Sequence, residues 1–126
     1  MKYTIEVNKE QLRVIADSLD LYSRLKCGRL DMLEYLFINK KFDRESVDYV
    51  IQQLKILLFP DLLNNESYGI YSDKTPRESK VGYGIYKNIQ YELHKNDKEW
   101  NTHKDYPLEA DKEYQCKVRK NREVLK

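Results

Sequence analysis

Two histidines, two cysteines and four glycines are few for 126 residues, and each scarcity removes a kind of chemistry. His94 and His103 stand nine apart, a spacing that suits no zinc site. Cys27 and Cys116 are distant in sequence and lack metal-ligand spacing, so structural thiols are expected rather than a disulfide. The glycines build no phosphate-cradling loop after a strand and no nucleophile elbow. No run approaches 18 apolar residues, charged residues make up 35% and mean hydropathy is −0.83, so no membrane span is expected. The N-terminus "MKYTIEVNKE" lacks the apolar region of a signal peptide, which reads as an intracellular protein. Charge of one sign is also scarce. A net charge of +2 argues against a strong electrostatic nucleic-acid binder.

Tyrosine is plentiful, at 11 residues. It supplies rigid contact area and a hydroxyl, which suits interfaces, stacking sites and amphipathic cores alike. Basic charge gathers locally in the tail, residues 117–126, with Lys117, Arg119, Lys120, Arg122 and Lys126 against Glu123. Such a tail is either a solvated end or a nucleic-acid contact. Carboxylates are common, yet none sits in a context apolar enough to make an acid or base of it. No catalytic residues, cofactor or metal ligands are assigned, and the protein is not expected to be an enzyme.

The length suits a single domain. In "KYTIEV", Tyr3, Ile5 and Val7 alternate with polar residues and predict a strand. Asn8 and Gln11 are placed for a capping box, and Leu12, Ile15, Leu19, Tyr22 and Leu25 form the apolar stripe of the helix that follows. Gly28 should end it. A short helix carries Leu30, Leu33, Leu36 and Phe37. A third begins near Asp43, presents Val47, Val50, Ile51, Leu54 and Leu58, and stops at Pro60. Residues 68–71 read as a short strand in a loop. Thr75, Pro76 and Glu78 signal the start of a fourth helix, with Val81, Ile85, Ile89 and Leu93 as its stripe. Gly82 and Gly84 within it mean either a late start or a close neighbour. Tyr114, Cys116 and Val118 alternate as a last strand, with residues 98–105 as its hairpin partner. The expected class is α+β: an N-terminal strand, helices and a later amphipathic helix on a small antiparallel sheet.

Three segments together resemble one family. "LDLYSRLKCGRLD" is similar to a helix ending in Leu-Tyr-Ser-Arg and followed by Gly-Gln and an acidic residue. "SYGIYSDKTPRESKVGYGIYKNIQYEL" is similar to a Gly-Ile turn leading through proline into a Val-Ala-Tyr-Asp-type helix. "DYPLEA" is similar to a closing acidic Pro-Leu segment. In this order, across roughly residues 2–110, they resemble the phage-encoded anti-Thoeris sponges, the first family of Thoeris anti-defence proteins. The resemblance implies a phage immune-evasion protein in the host cytoplasm. It would sequester a cyclic ADP-ribose isomer, or for some members cyclic oligonucleotides, without catalysis and as a homo-oligomer with pockets near subunit contacts. The chain departs from the pattern at Gly28-Arg29 (Gly-Gln elsewhere), Tyr83-Gly84 (Tyr-Asp) and Ile89-Gln90-Tyr91 (Ile-Arg-His). These departures are open to three readings: a local exchange of charge, a changed ligand, or lost binding.

The resemblance implies a site made of Arg24, Arg29, Tyr83, Lys87 and Gln90. Arg24 and Arg29 would take a pyrophosphate, or Arg24 would only complement its helix dipole. Tyr83 would stack on adenine, or simply pack. Lys87 and Gln90 share its helix face, which is otherwise a plain solvated face. The alternative is a small phage regulatory protein that binds nucleic acid through its basic tail or blocks a host enzyme directly.

Overall fold

The computed structural model describes residues 1–97 and 116–121. Four helices follow one another: α1 (Lys9–Lys26), α2 (Met32–Leu36), α3 (Arg44–Leu58) and α4 (Arg77–His94). Among the described residues there is no strand, so the expected α+β class with an antiparallel sheet is corrected to a helical fold. A strand needs a neighbour to take its backbone groups, and alternation alone does not provide one. Residues 1–8 form no regular element, and Tyr3, Ile5 and Val7 are all exposed. Around residues 68–71 the chain turns instead. The Tyr68 amide, which a sheet would use, donates to the Cys27 carbonyl at 2.8 Å, and the Ser72 amide donates to Gly69. Cys116 to Val118 are irregular, while Tyr114 and the hairpin partner at 98–105 lie outside the described residues, as do His103 and the "DYPLEA" segment.

The chain divides into two compact units, residues 1–20 with 81–126 and residues 21–80. In the first unit, α1 opens on a reciprocal capping box. The Gln11 amide donates to Asn8 Oδ1 at 2.8 Å, and the Asn8 amide donates to Gln11 Oε1 at 2.9 Å. Ala16 of α1 and Ile89 of α4 are this unit's buried apolar side chains among the described residues. α4 starts before both of its glycines, and Gly82 and Gly84 are buried within it, so the late start is ruled out. Near the C-terminus, the Lys120 amide donates to Glu92 Oε1 at 3.3 Å.

In the second unit, α1 ends in a Schellman motif. The Arg29 amide reaches the Arg24 carbonyl at 3.0 Å and the Gly28 amide reaches Leu25 at 3.1 Å. That geometry needs a positive φ, and Gly28 has φ +96°. Leu30 and Cys27 are buried just beyond. The loop after α3 is fastened by Lys55, whose ammonium donates to the carbonyls of Asn64 (2.9 Å) and Glu66. Phe59 meets Tyr68 edge to face at 6.1 Å. Thr75 does not cap α4 as expected. Its hydroxyl donates back to the Gly69 carbonyl, and Glu78 pairs with Lys26 at 3.5 Å instead of completing a box.

Candidate functional site

The five expected site residues fall in different units, Arg24 and Arg29 in residues 21–80 and Tyr83, Lys87 and Gln90 in the other. The arginines come first in the chain. Arg24 is half-buried in the last turn of α1, where its charge complements the helix dipole. Arg29 spends its fork on a neighbour. Nε and Nη2 each donate to an Asp31 carboxylate oxygen at 3.0 Å, a bidentate pair. The amides that open α2 are engaged as well: Met32, Leu33 and Glu34 donate to the carbonyls of Arg29, Leu30 and Asp31. An anion arriving at this junction would therefore have to displace Asp31 and would find these backbone donors taken.

Hydrogen bonding from Arg29 holds the Asp31 carboxyl below its ordinary 3.8. A depressed folded value means the pair stabilises the fold above about pH 3.8 and loses that contribution as pH falls further through the folded value. Both side chains are over a third exposed, so the pair is worth at most about 1 kcal/mol. Urea melts of Arg29→Ala should show a loss of that size at pH 6, shrinking as the pH is lowered below 3.8. A loss that does not change with pH would mean that Arg29 acts through packing.

The other three residues form a continuous stripe on α4. Lys87 is only 4% exposed, and its ammonium lies 5.1 Å from the centre of the Tyr83 ring. The Tyr86 ring stands 6.0 Å from that of Tyr83, tilted by 43°. Gln90 follows one turn on and is half-buried. The solvated face expected for Lys87 is thus an inward one. A ring face is favourable for a cation, and more so where water is excluded.

Two further features escaped the sequence reading. Tyr68 donates its hydroxyl to Asp61 Oδ2, which also accepts from Lys74 Nζ at 3.2 Å, with Lys74 over the Tyr68 ring at 5.9 Å. The hydrogen bond from Tyr68, then that from Lys74, holds Asp61 below the usual carboxylate value, and the same bond raises the Tyr68 phenol. Both shifts move the groups away from the range useful for proton transfer at neutral pH. Secondly, a cavity of about 280 Å³ lies between the end of α2 and the start of α3, lined among others by Glu34, Tyr35, Lys40, Lys41, Phe42 and Arg44. One Glu34 oxygen there is buried and accepts no hydrogen bond, while the other stands 4.0 Å from Arg44. None of the five expected residues lines this cavity. Its one sequence signal was the cluster of cations beside Phe42, which reads as an ordinary polar link.

No family model, no curated protein and no solved structure matches the chain.

Proposed function

We propose that the protein binds a cyclic nucleotide, with a cyclic ADP-ribose isomer as first candidate, and sequesters it in the host cytoplasm without converting it. The observation that carries this reading is the α4 stripe, where a lysine 4% exposed lies against a tyrosine ring. The face of the Tyr83 ring attracts the Lys87 ammonium. A nucleotide brings the two groups that suit such a stripe, a planar base and phosphate oxygens. The base stacks on Tyr83. Lys87 leaves its inward position on the Tyr83 ring and donates to a phosphate oxygen as a charge-assisted bond. The Gln90 amide offers a donor and an acceptor to a base edge or a ribose. Arg24 and Arg29 belong to the other unit and are not part of this stripe. The resemblance of the three segments to anti-Thoeris sponges supports the same ligand class.

Sequestration without chemistry has a direct test. The protein is incubated with an equimolar cyclic ADP-ribose isomer, heat-denatured, and the supernatant is resolved by mass spectrometry. The bound isomer should return unchanged and in full. A ring-opened or hydrolysed product would make the protein an enzyme and overturn the reading.

A further inference from the structure

Glu34 is an enclosed carboxylate whose pairing is left open. It stands on α2, and the turns that follow curl the chain back beside it. The Phe37, Ile38 and Lys40 amides donate to the carbonyls of Glu34, Tyr35 and Phe37 at 3.2, 3.3 and 2.9 Å, and α3 then opens at Arg44. The Glu34 side chain is only 12% exposed. Oε1 is buried and accepts no hydrogen bond. Oε2 has Arg44 Nη2 at 4.0 Å, beyond hydrogen-bond reach. Buried carboxylate oxygens ordinarily have donors, and leaving one without them costs stability. The same unit closes its Arg29–Asp31 pair to 3.0 Å at both contacts, so the gap at Glu34 is not for want of a guanidinium. Glu34 and Arg44 both line the cavity of about 280 Å³ between α2 and α3.

We infer that this cavity binds a free α-amino acid with an apolar side chain. Its lining carries charge of both signs, Lys40, Lys41 and Arg44 with Glu34. A purely anionic ligand would be repelled by Glu34 and would leave its oxygens without donors. A metal ion or simple cation would face three like charges. A zwitterion answers both signs. The 4.0 Å between Glu34 and Arg44 sets the spacing. The ligand must hold its ammonium and its carboxylate close together, and an α-amino acid carries both on the same carbon. The ammonium donates to Glu34, whose terminal torsion is soft enough to turn either oxygen to the cavity. The carboxylate accepts from the Arg44 fork and the lysine ammoniums. Tyr35, Ile38 and Phe42 bare apolar surface along the same cavity, which receives the ligand's side chain. The volume is just under the range of about 300–1,000 Å³ for drug-sized ligands, so the occupant is small. The α4 stripe contributes nothing to this lining, so the inference stands apart from nucleotide binding.

Calorimetric titration of the full chain with L-phenylalanine and with L-leucine tests the inference. At least one should bind at a single saturable site with a dissociation constant of about 1 mM or lower. Its N-acetyl derivative, which lacks the ammonium, and its amide, which lacks the carboxylate, should each bind about tenfold to a hundredfold more weakly, the loss of one charge-assisted contact. Glu34→Gln keeps the shape and removes the charge, and should weaken the amino acid by a similar factor. Arg44→Gln, at a side chain 72% exposed, should weaken it too with the helical circular dichroism unchanged, and carries the test if Glu34→Gln does not fold. No saturable binding of either amino acid at about 10 mM, ten times the expected constant, overturns the inference. So does an N-acetyl derivative or an amide that binds as well as the parent, which would mean a site for one charge only. Affinity unchanged in Arg44→Gln overturns it as well.

Discussion

Replacing Lys55 with methionine is expected to destabilise the fold by about 2–3 kcal/mol, which lowers the melting temperature by roughly 10 °C for a chain of this size. The methionine keeps the aliphatic stem and removes the ammonium. Two carbonyls, of Asn64 and Glu66, then lose their shared donor. A hydrogen bond from a charged donor contributes about 1.5–3 kcal/mol, and an abandoned partially buried acceptor adds to the loss. Water can reach part of this loop, since Asn64 and Glu66 are themselves exposed, which keeps the figure from doubling. Urea melts on the variant measure it. A change under about 0.5 kcal/mol, the range of an ordinary surface substitution, would show that the loop after α3 is held by something else. The same melt bears on α3 itself, because Lys55 is the one buried residue of that helix.

Lys87→Met is expected to weaken nucleotide binding about tenfold to a hundredfold, the loss of one charge-assisted contact. Loss of the contact with the Tyr83 ring alone costs the fold about 0.5–2 kcal/mol. Calorimetric titration gives the affinity and urea melts give the stability. Unchanged affinity would take Lys87 out of the site. A large loss of stability with affinity retained would make it a structural cation.

The comparison of these two lysines shows which parts of the structure could be read from the sequence. Helix ends with local chemistry were legible: the Asn8–Gln11 box, the turn at Gly28 and the stop before Pro60 all depend on residues within a few positions of one another. Tyr3, Ile5 and Val7 misled because a strand depends on a distant partner, which the alternation cannot reveal. Thr75 and Glu78 carried a valid local signal that tertiary partners, Gly69 and Lys26, took over. The stripe read for α3 is only partly turned inward: Val47 and Ile51 are half-buried, while Val50, Leu54 and Leu58 are exposed, which a helical period alone does not tell apart. The role of Lys55, and the burial of Lys87, a named site residue, were not foreseen for one reason. Periodicity counts lysine as polar, whereas its long stem lies easily along apolar surface while its ammonium finds carbonyls or a ring. Of the expected site, the residues on α4 came from the resemblance, and their shared face followed from helical spacing. The engagement of Arg29 by Asp31 did not, since a contact two residues apart depends on the turn that joins them.

The central claim, binding of a cyclic nucleotide, is tested most directly by thermal unfolding of the unaltered protein against a panel of cyclic ADP-ribose isomers and cyclic di- and trinucleotides. A ligand at 100 times its dissociation constant stabilises a fold by about 2.7 kcal/mol, a rise in melting temperature of several degrees for this length. The expected result is such a rise with at least one cyclic ADP-ribose isomer, reduced in Lys87→Met. A melting temperature unmoved by every member of the panel at millimolar concentration would contradict the account.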